Sequence, residues 1–324
     1  MNSRLKHMKD MKLKFLNDLC KETANNNEGV TKEGVLKNIT TAVQEKANDA
    51  HKKYSESSFN MSPEDFVKML ILDGSFIVKF FVLNSLERDL LLFENQIPFF
   101  IFETIFGCCF SQQRDITLLN HALSYFSEDK ITLQMLPNKY WMGEKPEKIH
   151  HLLHLSHICL VWPENHVDET LLRNLSTKFI HETPRMLSTI PNATRLREYE
   201  IKFRMKKIRG NYDTFLDVSF KDGIMEIPHL DIYDDTASKF RNLLALEQSC
   251  EKYGSKLTRY MSFMDDLVDK DSDVVLLMKK NIIGNFLGST QRLANMFIEM
   301  RDGLFLDRND HYLVKVYKKI NKHC

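Results

Sequence analysis

The sequence has no long apolar run. Its longest apolar stretches, Phe76–Leu83 and Ile97–Phe110, are interrupted by Lys79 and Glu103 and are too short to cross a bilayer. The first ten residues carry several charges where a secretory signal requires an uninterrupted apolar segment. We therefore predict a soluble chain that neither spans a membrane itself nor begins with an export signal.

The sequence also has almost no net charge, because 45 lysines and arginines stand against 44 aspartates and glutamates. A chain without a basic excess has no global field that attracts a polyanion, so we predict no nucleic-acid partner. The six cysteines include no C-x-x-C pair and are too sparse for a secreted disulfide framework. This cysteine usage favours a reducing compartment.

Catalytic and nucleotide-binding signatures are absent as well. No G-x-S-x-G elbow, papain-like or caspase-like cysteine, or G-x-G-x-x-G fingerprint occurs, and the stretch Gly284–Gly288 lacks the lysine of a phosphate-binding loop. We predict no catalytic residue and no cofactor. Catalytic groups that meet only in three dimensions leave no such signature, so a hydrolase-like enzyme stays the alternative.

A histidine cluster is the one metal-binding candidate. His150, His154 and His157 follow one another at helical spacing, and neutral imidazoles bind zinc. No nearby cysteine or H-E-x-x-H motif completes a site, so a helix with exposed histidines is favoured over a metal centre. Vicinal Cys108 and Cys109 lie in an apolar segment, which favours small buried side chains over a redox pair.

Apolar residues recur with helical periodicity over most of the chain. Thr31 is placed to cap a helix, Ser62 and Pro63 begin another that runs to about Leu83, and Pro98 begins a third over Phe99–Phe106. Further helices are predicted near 114–126 and 147–159, separated by a mobile loop at 137–146, and again from a cap at Asp234 or Asp235 to the end.

The period changes to two around Phe220, where Asp222 and Gly223 separate two short apolar runs. This pair predicts a type I′ β-hairpin. The fold class is therefore mainly α (α+β), an irregular helical domain with one small β-hairpin element. We divide the single domain 1–324 into an N-terminal helical hairpin (1–55), a central helical core (56–205), the hairpin element (206–233) and a C-terminal helical part (234–324).

Several long segments carry a family resemblance. DLLLFENQIPFFIFETIF begins at Asp89, FLDVSFKDGIMEIPHLDIYDDTASKFRNLLALEQ at Phe215 and IIGNFLGSTQRLANMF at Ile282. Through these blocks the chain resembles the plant family called domain of unknown function 247. Members usually open with a tyrosine-histidine-histidine-glycine motif and close with a hydrophobic membrane helix, and neither is present here. We expect a chain trimmed at both ends or a shortened member.

The resemblance brings no established reaction, and we interpret its motif residues as architectural. Polar side chains can satisfy helix starts and brace backbone inside an aromatic core. The motif residues assigned this structural role are Glu94, Asn95, Gln96, Pro98, Glu226, Pro228, Arg241, Asn242, Glu247 and Gln248.

The resemblance implies a non-enzymatic recognition or signalling domain of a membrane-associated plant protein with an unknown protein partner. Members have been linked to self-incompatibility between pollen and stigma in grasses, which makes mating recognition a special case. We expect the loop 137–146 to contact the partner. Membrane contact would come only through a C-terminal helix absent from this chain, and lysines near Lys318 then indicate the cytoplasmic face, most simply of the plasma membrane. The same lysine-rich end predicts either a surface helix of the core or a helix on anionic lipid.

Overall fold

The structure is a computed structural model that describes residues 3–54, 61–83, 96–110, 118–119, 121–122, 149–161, 189–207, 214–305 and 311–324. The described residues form eleven α-helices and five short strands, which confirms the mainly α class with some β structure. The helices are α1 (Ser3–Asn25), α2 (Lys32–His51), α3 (Pro63–Leu83), α4 (Phe99–Phe110), α5 (Leu152–Val161), α6 (Ala193–Glu198), α7 (Thr236–Ser249), α8 (Lys256–Leu267), α9 (Asp271–Lys279), α10 (Thr290–Arg301) and α11 (Val314–His323). The strands are β1 (Lys202–Lys206), β2 (Ser219–Lys221), β3 (Ile224–Pro228), β4 (Leu230–Ile232) and β5 (Ile283–Asn285).

The chain divides into two compact units. The first contains α1 to α4 and the beginning of α5 up to Leu155, and the second contains the rest of α5 and all later elements. The predicted helix 114–126 lies mostly outside the described residues and the predicted loop 137–146 lies wholly outside them, so both stay predictions. The division of the domain into four segments also stays a prediction.

The helix starts in the first unit follow the predicted caps. The Thr31 hydroxyl accepts a hydrogen bond from Gly34 N at 3.1 Å, and the Ser62 hydroxyl accepts one from Asp65 N at 3.1 Å. α3 ends at Leu83, as predicted, whereas α4 continues four residues beyond Phe106.

The core of the first unit depends on a close approach of two helices. α3 packs on α4 at Gly74, where a Cβ atom would lie only 2.5 Å from Ile105 Cδ1. Phe15 and Phe76 meet edge to face at 5.1 Å between ring centroids. Lys79 is buried on α3 and forms an ion pair with Glu22 of α1. The glycine at position 74 therefore allows α3 and α4 to approach closely.

The second unit contains the predicted hairpin and two pairings that were not predicted. β2 and β3 are antiparallel, and Asp222 (φ 51°) and Gly223 (φ 73°) both have the positive φ of a type I′ turn. β1 pairs with β3 in parallel, giving the order β1-β3-β2. β4 and β5 form a separate parallel pair in which Asp231 lies opposite Gly284.

The C-terminal helix α11 is a surface helix of the second unit. Val316, Tyr317 and Ile320 are buried, and Tyr317 packs edge to face on Phe263 of α8 at 6.0 Å. The core-helix interpretation of the lysine-rich end is therefore confirmed. Its lysines lie on the opposite, exposed face: Lys315, Lys318, Lys319 and Lys322.

Candidate functional site

The motif residue Glu247 is a buried helix cap. Its Oε1 accepts hydrogen bonds from Leu257 N at 3.0 Å and from His157 Nε2 at 2.9 Å, and its Oε2 accepts from Thr258 N at 2.8 Å and Thr258 Oγ1 at 2.6 Å. Leu257 and Thr258 are in the first turn of α8, whose N-cap residue Ser255 makes no side-chain cap. A carboxylate from another helix thus replaces the local cap and also meets the positive end of the helix dipole. All four of its acceptor positions are used.

The next motif residue, Gln248, holds a backbone segment beyond α10. Gln248 Oε1 accepts from Phe305 N at 3.0 Å, and Gln248 Nε2 donates to Phe305 O at 3.3 Å. Phe305 itself is 84% exposed. A motif side chain therefore fixes both backbone groups of a residue whose aromatic side chain faces solvent.

Gln96 and Pro98 join the starts of two helices in the first unit. Gln96 Oε1 accepts from Leu153 N at 2.9 Å, one of the amides at the N-terminus of α5 that lack a helical acceptor. Phe99 N, directly after Pro98, donates to His150 O at 2.8 Å. These two bonds fix the beginning of α4 to the beginning of α5. Glu94 and Asn95 lie outside the described residues.

Two histidines of the cluster supply caps at the start of α5. His151 Nδ1 accepts from His154 N at 3.2 Å, and His154 Nδ1 accepts from His150 N at 3.1 Å, at the N-terminus of α5. The rings of His150 and His154 stack at 4.6 Å. His150 and His154 are half-buried and His157 is buried, so the expectation of exposed histidines is wrong. Across the described ranges, no three His, Cys, Asp or Glu side chains gather as metal ligands.

The other motif residues lie at the surface or at the end of a strand. Glu226 Oε1 lies 3.5 Å from Nη1 of Arg204 on the neighbouring strand β1. Pro228 is the last residue of β3. Arg241 forms an exposed ion pair with Glu299 at 3.0 Å, and Asn242 Nδ2 donates to Ser238 O at 2.8 Å. These contacts are local surface bonds that we interpret as structural.

A second buried helix cap lies at Asp273. Asp273 is fully buried; its Oδ1 accepts from Thr194 N at 2.8 Å, and its Oδ2 accepts from Asp269 N and Lys270 N at 3.2 Å each. One carboxylate therefore closes the N-termini of both α6 and α9. The sequence signal was an aspartate three residues after Lys270, the reciprocal half of a capping box.

A histidine–carboxylate pair that the sequence analysis missed lies at β4 and β5. His229 Nε2 is 2.9 Å from Asp231 Oδ1, and His229 Nδ1 is 2.8 Å from the carbonyl oxygen of Asn281. Both ring nitrogens therefore lie within hydrogen-bonding distance of an acceptor oxygen. A catalytic dyad keeps one ring nitrogen for the nucleophile, and this histidine has none left. His229 and Asp231 are only two residues apart, whereas the contact with Asn281 spans 52 residues and has no signal in the sequence.

A polar cluster lies between α8, α10 and α11. Burial raises the pKa of Asp266 to about 6, although Tyr317 donates to its Oδ2 at 2.9 Å and Arg301 lies 3.5 Å from its Oδ1. Arg301 also contacts Asp265 Oδ2 at 2.5 Å, and burial raises the pKa of Asp265 as well. Burial opposes the ionised form of both carboxyl groups, whereas the contacts with Arg301 favour it.

The vicinal cysteines behave as buried side chains. Burial raises the pKa of the Cys109 thiol to about 12 and also raises that of Cys108, which is half-buried. A thiol with a raised pKa holds little of the nucleophilic thiolate at neutral pH. These values agree with the interpretation of Cys109 as a small buried hydrophobe.

The surface of the first unit contains a groove. It has a volume of about 1050 Å³ and is lined by α1, α2 and the beginning of α3. Leu13, Leu36 and Met61 lie along it with exposed fractions of 41%, 39% and 44%. Large apolar side chains exposed next to one another mark surfaces that bind other molecules.

Comparison with known proteins places the chain in a plant family. In the described residues, no helix has the length and apolar character needed to cross a bilayer. No solved structure matches the chain. The UPF0481 protein At3g47200 of Arabidopsis thaliana is 28% identical over 315 residues, which cover 88% of this chain and 64% of that protein. The putative UPF0481 protein At3g02645, also of Arabidopsis thaliana, is 26% identical over 163 residues, which cover 49% of this chain and 30% of that protein.

The chain thus spans less than two thirds of the length of these curated relatives. The model of the family described as plant protein of unknown function, DUF247, matches residues 1–324. This match covers the motif blocks that contain Gln96, Glu247 and Gln248, and it confirms the resemblance. The chain belongs to the DUF247 family of plant proteins.

Proposed function

We propose that the chain is a non-enzymatic recognition domain of a membrane-associated plant protein, and that it binds a protein partner. The observation that carries this proposal is the clamp of Gln248 on Phe305. Both backbone groups of Phe305 are held while the residue is 84% exposed. Because the backbone is already fixed, binding has to order only the side chain, which suits an aromatic interface anchor.

The fate of the buried polar groups supports the non-enzymatic part of the proposal. Glu247 and Asp273 use their oxygens to cap helices, and His229 has both ring nitrogens bonded. Buried polar groups must be paired, and these pairs meet that need without a substrate. The hydrolase-like alternative requires a histidine nitrogen that faces a nucleophile, and no described contact favours it.

Membrane association is the finer part of the proposal. We infer an anchor outside this chain, on the cytoplasmic face of the plasma membrane. The exposed lysines of α11 support it, because positive charges next to a membrane helix favour the cytoplasmic side. A protease-protection assay on the full-length protein in sealed inside-out plasma-membrane vesicles tests it: cleavage of this domain without permeabilisation is expected, and protection overturns the cytoplasmic assignment. Recognition between pollen and stigma is a special case of the proposal.

Partner recognition is tested by proximity labelling with the full-length protein in plant tissue, followed by pull-down with this domain. We expect a shared partner whose capture falls at least tenfold for Phe305→Ala. Tyr199→Ala is the matched control, because Tyr199 is also an exposed aromatic residue of the second unit. If no partner is shared by the two methods, the recognition proposal fails. If the Phe305→Ala and Tyr199→Ala variants capture the partner equally well, Phe305 is not the anchor.

A further inference from the structure

We infer that the lysine stripe of α11 binds the headgroups of an anionic membrane surface. The lysine stripe consists of Lys315, Lys318, Lys319 and Lys322. This inference rests on the membrane association in the proposed function and deepens it, because it gives the domain its own contact with the bilayer. That contact is separate from an anchor outside this chain.

The four lysines lie on one side of the helix. Their positions are i, i+3, i+4 and i+7, which follow one another along about 10 Å of a single helix face. All four are exposed, and none forms an ion pair with any residue in the described part of the chain. α11 contains no aspartate or glutamate. The helix therefore presents charge of one sign to solvent.

The stability of the helix does not account for the lysine stripe. Lysines three and four residues apart repel each other and destabilise a helix. Lys315 lies in the first turn of α11, at the positive end of the helix dipole, where a lysine is unfavourable. Of the four lysines, only Lys322 lies in the last turn, where a positive charge is favourable. Binding to a negatively charged surface relieves the repulsion.

The neighbouring charges do not cancel the lysine stripe. His323 Nε2 lies 3.2 Å from the carbonyl oxygen of Tyr199, and the His323 ring packs edge to face on Phe220. The α8 acids beneath α11 contact Arg301. Over residues 304–324, five lysines and arginines stand against two aspartates. The exposed charges beside the His323 contacts balance one another: Glu200 and Lys202 after α6, and Lys221 and Asp222 in the β-hairpin.

The residue types of the lysine stripe favour a lipid surface. Lysine is a point charge and is depleted in protein–protein interfaces, where arginine and aromatic residues are the usual anchors. The stripe contains neither, so it also lacks the stacking groups that bind single-stranded nucleic acid. The net charge of +1 gives the whole chain no basic excess for a nucleic acid. A cluster of four lysines on one helix is enough to attract anionic lipid.

α11 binds the lipid surface by charge and does not insert. Its apolar residues Val316, Tyr317 and Ile320 are buried in the second unit. A helix that inserts places such residues among the acyl chains instead. Each lysine near an anionic surface raises binding about fivefold, and salt screens this attraction. The affinity should therefore depend on the number of lysines and on the salt concentration.

The experiment is co-sedimentation of this chain with phosphatidylcholine vesicles that contain about 30% phosphatidylserine, at about 0.1 M salt. We expect binding that falls at least tenfold for the double variant Lys318→Gln/Lys322→Gln, and at least tenfold when the salt is raised to about 0.5 M. Lys318→Arg/Lys322→Arg keeps both charges and should bind within about twofold of the unaltered chain. The control Lys37→Gln/Lys46→Gln removes two exposed lysines from α2, and with them the same net charge, and should change binding less than twofold.

Three results overturn the inference: no binding to the phosphatidylserine vesicles, equal binding to vesicles of phosphatidylcholine alone, or binding that Lys318→Gln/Lys322→Gln weakens no more than the α2 control does. A tissue partner or an oligonucleotide that requires Lys318 and Lys322 while the vesicles stay unbound also overturns it. The vesicles test this chain without the proposed anchor, so failure here leaves the anchor and the protein partner standing. Failure of the anchor in the protease-protection assay leaves the vesicle result standing.

Discussion

Glu247 of α7 receives both the backbone N–H and the hydroxyl of Thr258 on one oxygen, at 2.8 and 2.6 Å. It thereby supplies from a distance of eleven residues the cap that α8 lacks locally. Because the carboxylate is buried, its replacement by the isosteric amide places an NH2 group against backbone N–H donors. We expect Glu247→Gln to lower the free energy of unfolding by about 3 kcal/mol in urea denaturation.

The matched control is Arg241→Gln on the same helix, which breaks an exposed ion pair and should cost less than about 1 kcal/mol. Hydrogen exchange separates a lost cap from general loosening, because the amides of Leu257 and Thr258 should exchange faster than the rest of α8. A cost of Glu247→Gln below that of the control contradicts the capping role.

Gly284 lies under the carboxylate of Asp231. A Cβ atom at position 284 would be 1.9 Å from Asp231 Oδ1 and 3.3 Å from His229 Nε2. Gly284→Ala should therefore displace the carboxylate, break its bond to His229 and cost about 2–3 kcal/mol of unfolding free energy. Asp231→Ala should remove most of this penalty in the double variant, with a coupling of about 1–2 kcal/mol.

Gly107 of α4 is the control, since no atom lies within 4 Å of its virtual Cβ. Gly107→Ala should stabilise the chain by about 0.5–1 kcal/mol because alanine is the better helix former. Additive effects of Gly284→Ala and Asp231→Ala would show that steric overlap with the carboxylate is not the cause.

Local signals along the chain predicted the local parts of the fold. Thr31 and Ser62 each accept a bond from an amide three residues further along, and Asp222 lies in the turn that it predicted. Each of these predicted features is present. β4 and β5 were not predicted, because each strand has only three residues and its partner strand lies some fifty residues away along the chain. A pattern of period two needs more residues than this to be distinguished from a helix segment.

For the candidate site, the sequence predicted the kind of role that the motif residues have but not their bonding partners. A structural role for Glu247 and Gln248 followed from the general need to pair buried polar groups. Their particular partners, Thr258 and Phe305, are set by how α7 lies against α8 and α10, which no spacing in the sequence encodes. The histidine cluster shows the converse. Its helical spacing was visible, but the two Nδ1 acceptors at the start of α5 were not.

The capping role of His151 predicts a simple rescue. His151→Ala leaves His154 N without its acceptor and should cost about 1 kcal/mol, whereas His151→Ser restores a cap oxygen and should recover most of that loss. Thermal denaturation measures the stability of both variants.

The same measurement tests metal binding by the histidine cluster. If zinc raises the melting temperature of the unaltered chain but not that of His154→Ala, the metal-binding hypothesis is supported.

Asp266 predicts an unusual pH dependence of stability. Its pKa is about 6 in the folded chain because of burial, and about 4 in an unfolded chain. The folded state holds the proton more tightly, so ionisation of Asp266 costs about 2–3 kcal/mol of unfolding free energy above pH 6. That cost disappears as the pH falls from about 6 to about 4. Asn at this position is neutral at every pH and keeps an oxygen that can accept the bond from Tyr317.

Asp266→Asn should therefore be more stable than the unaltered chain at pH 7.5, and the difference should shrink towards zero by pH 4. Urea denaturation at several pH values measures the difference directly, because the titration of groups that do not interact with Asp266 cancels between the two proteins. Asp10→Asn, an exposed aspartate of the first unit, is the control and should show no such trend. If Asp266→Asn is less stable than the unaltered chain at pH 7.5, the ion pair with Arg301 stabilises the fold by more than burial of the carboxylate destabilises it. The predicted sign of the effect is then wrong.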